Sequence, residues 1–133
     1  MTIRGYNIDM DLRLKDAGAI TSSAAAQVGG NAAVLDLGAA RFEGVAVINV
    51  SALDLASANE TYSIDVEFSN VAGMGSGVEK VITVPVTATG YIEVPFVNMK
   101  YGTVYRYMRL TTTVGGTTPS INYTAHVAPL KWA

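Results

Sequence analysis

Apolar and polar residues alternate over several stretches of this chain, which is the pattern of β-strands with one buried face. The clearest stretch is 61–69, where every second residue is apolar. Its apolar positions are Tyr62, Ile64, Val66 and Phe68, and the polar positions between them are Ser63, Asp65 and Glu67. The alternation predicts that the first set points into a core and that the second set faces water.

Similar stretches recur about every 8 to 15 residues, a spacing typical of β-sandwiches and barrels. The predicted strands are 33–37, 44–52, 61–69, 79–86, 91–97, 104–114 and 120–128. Region 20–28 fits either a short helix closed by Gly29 and Gly30 or a strand followed by a loop, and the second is favoured. No segment has the length and 3.6-residue period of an ordinary helix. The chain is therefore predicted to be all-β, a two-sheet antiparallel sandwich of jelly-roll type with about eight strands.

Turn and breaker residues add detail to this prediction. The last two strands are separated by Gly-Gly-Thr-Thr-Pro at 115–119, which predicts a β-hairpin. Pro85 and Pro95 interrupt two other strands, and proline cannot donate a hydrogen bond to a sheet ladder. These two strands are expected at sheet edges or with bulges.

The N-terminal stretch 6–14 also alternates strictly. Its apolar positions are Tyr6, Ile8, Met10, Leu12 and Leu14. We expect residues 1–17 to form an extended arm and residues 18–133 to form the sandwich domain. About ten extended residues reach about 33 Å, enough to cross a boundary between two subunits.

Composition narrows the range of partners. Half of the 133 residues are apolar, which fits one compact domain. Nine Lys and Arg against eleven Asp and Glu give a net charge of -2 without clustered cations, so no nucleic-acid partner is expected. No stretch approaches the ~20 apolar residues that span a bilayer, and the first residues are too polar for a signal peptide. The absence of cysteine fits an intracellular origin. The chain is expected to be soluble, without a membrane partner.

Few residues suggest reaction chemistry, and no catalytic, metal or cofactor site is predicted. His126, the only histidine, lies on the strand face opposite Ile121 and Tyr123, where a solvent-facing side chain is expected. The glycine-rich segment 73–77 precedes a strand rather than a helix, which argues against a phosphate-binding loop. It is expected to be a flexible turn.

Three ordered groups of residues resemble the capsid cement, or decoration, proteins of tailed bacteriophages, which have a jelly-roll fold. The matching segments are 19–24 (AITSSA), 34–38 (VLDLG) with Arg41-Phe42 and 47–52 (VINVSA), and 105–110 (YRYMRL) with 120–125 (SINYTA). Each segment is an ordinary strand sequence, and their order and spacing carry the resemblance. The arm before residue 17 is the part of the chain that matches least.

The resemblance implies a structural virion protein without a cofactor. Made in the host cytoplasm, it would bind the exterior of a phage head, bridge neighbouring major capsid proteins and self-associate as a dimer or trimer. The residues expected at the capsid or oligomer interface are Tyr6, Ile8, Met10, Leu12, Pro85, Pro95 and Trp132.

Three other functions remain open from the sequence. Segment 106–110 (RYMRL) also resembles a strand of galactose-binding-like domains, and a carbohydrate-binding module would use exposed aromatic rings as a platform for sugars. The candidate rings are Tyr91, Tyr101, Tyr105, Tyr107 and Trp132. A phage head-completion or tail protein is the second alternative. A small β-sandwich hydrolase using Asp65, Glu67 or Glu93 is the third, although the chain is expected not to be an enzyme.

Overall fold

A computed structural model describes residues 12–129. This part of the chain contains fourteen strands and no α-helix. The six long strands are β7 (Glu43–Leu53), β8 (Thr61–Ser69), β9 (Glu79–Pro85), β10 (Gly90–Val97), β13 (Tyr107–Gly115) and β14 (Ile121–Pro129). The short strands are β1 (Arg13–Lys15), β2 (Ala19–Ile20), β3 (Ala24–Ala25), β4 (Gln27–Val28), β5 (Asn31–Ala32), β6 (Leu35–Asp36), β11 (Met99–Lys100) and β12 (Thr103–Val104).

The strands form two antiparallel sheets that face each other. Sheet A has the order β1-β14-β7-β10, with β2 also paired to β14. Sheet B has the order β3-β13-β8-β9, with β6 also paired to β13. Two small two-stranded ladders, β4-β5 and β11-β12, lie outside these sheets. The predicted all-β antiparallel sandwich is confirmed.

One apolar core fills the space between the sheets. It combines Ile48 and Val50 of β7 with Val66 and Phe68 of β8 and Leu110 of β13, all at most 1% exposed. These residues alternate with outward-facing neighbours, because successive side chains of a strand point to opposite faces of its sheet. The inward positions predicted for stretch 61–69 are confirmed, since Tyr62, Ile64, Val66 and Phe68 are all buried.

Region 19–32 forms strands and loops rather than a helix, as favoured from the sequence. The two glycines at 29 and 30 make the turn between β4 and β5, and both have positive φ angles, 61° and 84°. Glycine adopts this conformation without a steric penalty, which explains a Gly-Gly pair at a two-residue hairpin turn.

The hairpin predicted from the last two strands is wrong. β13 belongs to sheet B and β14 to sheet A, so the two strands face each other across the core instead of pairing. The connection 116–120 crosses from one sheet to the other. Gly116 has φ 104°, and a Cβ there would lie 2.6 Å from the Cα of Glu60. The chain can make this close crossing because the residue has no side chain.

The described part of the predicted arm is attached to the sandwich. Residues 13–15 form β1, which pairs with β14 at the edge of sheet A. Leu14 is fully buried in the core, and Leu12 is half-buried against it. Removing residues 1–15 would therefore remove part of the core as well as any free arm.

Candidate functional site

The two prolines lie on the strands that end the two sheets. Pro95 is in β10, the last strand of sheet A, and Pro85 is in β9, the last strand of sheet B. Both residues are exposed, and their predicted edge placement is confirmed. The two other long strands of each sheet have neighbours on both sides.

These two edge strands lie on the same side of the sandwich. The rings of Phe68 in β8 and Phe96 in β10 are 5.8 Å apart, which sets β8 opposite that part of sheet A. The hydroxyls of Thr112 in β13 and Tyr123 in β14 are 2.6 Å apart, which sets those two strands opposite each other. We call β9, β10 and the hairpin formed by residues 99–104 the open edge.

Proline fixes which backbone groups point outward at this edge. An edge strand hydrogen-bonds its neighbour through every second residue and turns the other backbone groups away from it. Pro95 has no N–H, so it fits a position that points away from β7. Residues an even number of positions from Pro95, such as Tyr91 and Val97, then direct their N–H and C=O groups outward. The edge of sheet A can therefore accept a further strand, with one donor missing at Pro95, the sixth of its eight residues.

The hairpin of β11 and β12 ends in an exposed aromatic residue. Tyr101 is 96% exposed and has φ 50°, and Gly102 follows it with φ 79°. Two successive positive φ angles are typical of the tight turns that join two antiparallel strands. A bulky residue rarely occupies the first of these positions, so its presence there calls for an explanation beyond turn formation.

Side-chain contacts hold this tip against the edge of sheet B. The Nζ of Lys100 lies 3.0 Å from the Oε2 of Glu79, the first residue of β9, and 5.4 Å from the centre of the Tyr101 ring. The hydrogen bond that Lys100 donates to Glu79 raises the pKa of the lysine and keeps it charged. The tip and the edge strand therefore form one continuous surface.

Asn98 fixes the base of the same hairpin. It is fully buried, and its Oδ1 accepts a hydrogen bond of 2.7 Å from the backbone N–H of Phe42. Its Nδ2 donates to the carbonyls of Ala40, at 3.2 Å, and Tyr105, at 2.7 Å. The oxygen and both N–H groups of this side chain are used, so the hairpin is held in one orientation. Sequence reasoning missed Asn98, because its partners lie up to 58 positions away in the chain.

Arg106 anchors the chain just after the hairpin. Its Nε and Nη2 both donate to the carboxylate of Asp36 at 2.8 Å. Hydrogen bonding from Arg106, together with a hydrogen bond from the backbone N–H of Gly38, lowers the pKa of Asp36 to about 2. Arg106 is the first residue of the segment that resembles galactose-binding-like domains, and its side chain forms contacts within the fold.

The two acids of β8 do not face water as predicted, because side chains of the neighbouring strands cover them. Asp65 is 1% exposed and Glu67 is 9% exposed. Glu67 Oε1 accepts hydrogen bonds from Arg109 Nε at 2.8 Å and Thr111 Oγ1 at 2.6 Å. Both donors belong to β13, whose register sets Arg109 beside Glu67. A partly buried carboxylate is stable here because charged and hydroxyl donors replace the lost water.

Asp65 is less completely satisfied. Its Oδ2 accepts a 3.2 Å hydrogen bond from Thr113 and lies 3.4 Å from the Nζ of Lys80, whereas its Oδ1 is buried without a partner. The proposed hydrolytic acids are not gathered in one site, because Asp65 and Glu67 belong to sheet B and Glu93 belongs to β10 of sheet A. Within residues 12–129, no three His, Asp or Glu side chains are placed to share a metal ion.

His126 lies on the predicted face of β14 but is not simply solvent-facing. It is half-buried, and its Nε2 is shielded from water without a hydrogen-bond partner. Burial lowers its pKa below the usual value. The cross-strand neighbours of His126 are Arg13 and Val47. The prediction of a freely solvated histidine is therefore wrong, because neighbouring residues shield part of the ring, including Nε2, from water.

Lys15 is a second titratable group that sequence reasoning missed. It is 4% exposed, and its Nζ donates to the carbonyls of Asp16, Gly18 and Tyr123 at 2.7 to 2.9 Å. Burial of Lys15 lowers the pKa of its ammonium group. Burial of Tyr123 raises the pKa of its hydroxyl to about 12. All three protons of the ammonium group are used, which makes this lysine a structural cross-link between β1 and β14.

The aromatic residues do not assemble into a platform for sugars. Tyr91 lies near the start of β10 beside Asn49, at the opposite end of the sandwich from the Tyr101 tip. Tyr105 stacks on Phe68 with ring centres 6.3 Å apart and joins the core. Tyr107 is half-buried at the start of β13. Four of the residues predicted at an interface, Tyr6, Ile8, Met10 and Trp132, lie outside the described residues.

No protein-family model and no curated protein matches this chain. The part of the chain that the structure describes contains no helix long and apolar enough to cross a membrane.

Proposed function

We propose that this protein is a structural component of a virion, a cement protein that binds the exterior of a phage head and bridges major capsid proteins. The observation that carries the proposal is the open edge, where two sheet edges meet a rigid hairpin that presents Tyr101 to solvent. Exposed aromatic residues on preorganised backbone are typical of protein-protein contacts, because little entropy is lost when they bind.

The connections between strands support the finer assignment to the jelly-roll type. The chain crosses between the sheets from β7 to β8, from β9 to β10, from β10 to β13 and from β13 to β14. Such repeated crossing wraps the strands around one core, as in double-sheet jelly rolls. The resemblance noted in the sequence implies the same fold.

Strand addition is the binding mode that fits this edge. A capsid segment pairing with the outward backbone groups of β10 would gain main-chain hydrogen bonds, and Tyr101 would fill a pocket beside it. A protein that binds the assembled shell but not free subunits stabilises the shell, by about 2.7 kcal/mol per site at a hundredfold excess over Kd. The net charge of -2 fits an exterior position away from packaged DNA.

Co-sedimentation with heads of the same phage tests the proposal. The wild-type protein should pellet with assembled heads, in a copy number comparable to that of the shell protein, and should not bind dispersed capsid subunits. Tyr101→Ser should weaken head binding about tenfold or more, as expected for a central aromatic contact. Leu55→Ser is the matched control, because Leu55 is 47% exposed at the opposite end of the sandwich and its loss should change binding less than about twofold.

Three results would overturn the proposal: no binding to heads, equal binding to dispersed subunits, or equal losses for both variants. A copy number of about a dozen per particle would instead identify a head-completion or tail protein, since such proteins occupy ring-shaped positions.

A further inference from the structure

The loop that joins β8 to β9 presents an aliphatic side chain to solvent. We call this loop, residues 70–78, the glycine loop, because it contains the glycine-rich segment 73–77. Val71 in this loop is 43% exposed. Among residues 12–129, the other large apolar side chains exposed to at least this extent are Leu55, Tyr91 and Tyr101. The described part of the protein thus exposes few large apolar side chains, and Val71 is one of them.

Hydrogen bonds hold the backbone around Val71 in one conformation. The Oγ of Ser69, a fully buried residue, accepts a hydrogen bond of 3.0 Å from the N–H of Val71 and donates one of 2.8 Å to the carbonyl of Ser76. The carbonyl of Val71 accepts a bond of 2.9 Å from the N–H of Met74. Met74 is only 3% exposed, which fixes the middle of the loop to the protein. A partner that contacts Val71 would therefore have little loop entropy to remove.

Asn70 bonds the start of the glycine loop to the hairpin of β11 and β12. Its Nδ2 donates to the carbonyl of Val104 in β12 at 3.1 Å. Its Oδ1 accepts a bond of 3.0 Å from the backbone N–H of Arg106, two residues further along. The side chain thus bridges the loop and the second strand of the hairpin.

The end of the loop is bonded to the first strand of the same hairpin. Glu79 follows the loop directly, and its Oε2 accepts the 3.0 Å hydrogen bond from Lys100 in β11. The glycine loop and the hairpin are therefore joined at both ends of the loop. We call these two elements, residues 70–78 and 99–104, the apex. Val71 and Tyr101 are exposed apolar side chains of this one unit.

The apex carries little charge that is available to a partner. The glycine loop contains no charged residue, and the hairpin contains one, Lys100, which pairs with Glu79. Arg106, just after the hairpin, donates two bonds of 2.8 Å to Asp36. Charges paired in this way attract a partner weakly, and salt screens the remainder. The chemistry of the apex therefore fits an uncharged, apolar surface.

We propose that Val71 is a second apolar anchor, together with Tyr101, and that the apex docks into an uncharged apolar recess on the outside of the assembled shell. The inference rests on the function proposed above, because the shell is the partner that it assumes. Apolar side chains held by preorganised backbone bind with a small entropy cost and fill pockets of the partner. The apex would add this contact to the strand pairing at β10.

Binding of Val71→Ser to purified heads of the same phage tests the contact. The variant should bind about fivefold or more weakly than the wild type, because the burial of the valine is lost. Leu55→Ser is the matched control, since Leu55 is 47% exposed, and it should change binding by less than about twofold. Val71→Ile keeps an apolar side chain and should bind within about twofold of the wild type. Urea denaturation should show little change for these variants, because the altered side chains are exposed.

Salt dependence gives a second test of the same contact. Raising the sodium chloride concentration from about 0.05 M to about 0.5 M screens charge attraction but leaves apolar contacts in place. Binding of the wild type to heads should therefore weaken by less than about threefold over this range. The difference between Val71→Ser and the wild type should be the same at both concentrations.

Two results would overturn the inference while the proposed function stands. The first is wild-type binding to heads with Val71→Ser bound equally well, or weakened only as much as Leu55→Ser. The second is wild-type binding that falls more than about tenfold at the higher salt concentration, which would assign the contact to charged groups. Failure of the wild type to bind heads would overturn the proposed function itself and, with it, the shell as the partner of the apex.

Discussion

Phe68 connects the two sheets through its ring. It is fully buried, and its ring centre lies 5.8 Å from that of Phe96 in sheet A and 6.3 Å from that of Tyr105. Aromatic pairs at these distances contribute packing energy in addition to the burial of apolar area. The side chain is therefore a central contact of the core.

We expect Phe68→Ala to lower the free energy of unfolding by about 3 to 5 kcal/mol, because the neighbouring rings cannot fill the cavity. Urea denaturation followed by circular dichroism measures this. Tyr101→Ala is the control and should change stability by less than about 0.5 kcal/mol, since Tyr101 is 96% exposed. A loss below about 1 kcal/mol for Phe68→Ala would contradict the assigned packing.

His126 should make stability depend on pH. Its pKa is lowered in the folded protein by burial, so the unfolded chain binds the proton first as pH falls. The stabilising contribution is present above about pH 6.5, the unfolded value, and is lost as pH falls through the folded pKa. The residues in register with His126 across this face are Arg13 of β1, Val47 of β7 and Glu93 of β10, and Glu43 lies further along β7 on the same face.

The variant His126→Gln cannot take up this proton. Its stability relative to the wild type should therefore improve as pH falls from about 8 to about 5, a range in which ordinary carboxylates stay charged. Urea titrations at a series of pH values measure the difference. A difference that stays constant with pH would show that His126 titrates normally in the folded protein.

The outer face of β8 is stabilised by pairing between strands. Glu67 and Arg109 are directly opposite each other in the β8-β13 register, and Thr111 donates to the same carboxylate oxygen. Loss of the arginine would leave a poorly hydrated charge with one hydroxyl donor. Such a loss costs more than the hydrogen bond itself contributes.

We expect Arg109→Gln to destabilise the protein by about 1 to 3 kcal/mol. Glu67→Gln in the same chain should recover part of that loss, because it removes the unpaired charge. Denaturation of the two single variants and the double variant gives the coupling energy. Strictly additive effects would contradict the ion pair.

These elements also show where sequence patterns succeed and fail. The alternation in β8 identifies its inward side chains, since burial on one face is a local property of the strand. The burial of Asp65 and Glu67 depends on β13, more than 40 positions away, and cannot be derived from β8 alone. The Gly-Gly-Thr-Thr-Pro turn predicts a hairpin wrongly, because a crossing between two sheets uses the same turn residues.

The sequence also predicts part of the open edge, namely its two edge strands, but not the exposure of Tyr101. The missing N–H of proline is sufficient to predict that β9 and β10 lie at sheet edges. Gly102 marks a turn beside Tyr101, but the local sequence does not show that Tyr101 is exposed while Tyr105 packs on Phe68, because Asn98 and the contacts of the core set these environments. Long-range contacts therefore decide which tyrosine is available to a partner.

At the scale of the whole molecule, one core joins both sheets, and this predicts cooperative unfolding. The main cluster includes residues of β1, β7, β8, β10, β13 and β14. We expect a single thermal transition in which the calorimetric and van't Hoff enthalpies agree. Differential scanning calorimetry measures both quantities. Two resolved transitions would mean that the sheets unfold independently.

The proline within β10 has a consequence for crowded conditions. A sheet edge of eight residues is a template on which identical molecules can stack into amyloid-like fibrils. Every copy of this chain lacks one backbone N–H donor at Pro95. A ladder of hydrogen bonds between stacked copies would therefore be interrupted at each added molecule. The edge remains able to accept a short, suitably shaped segment while it resists endless self-stacking.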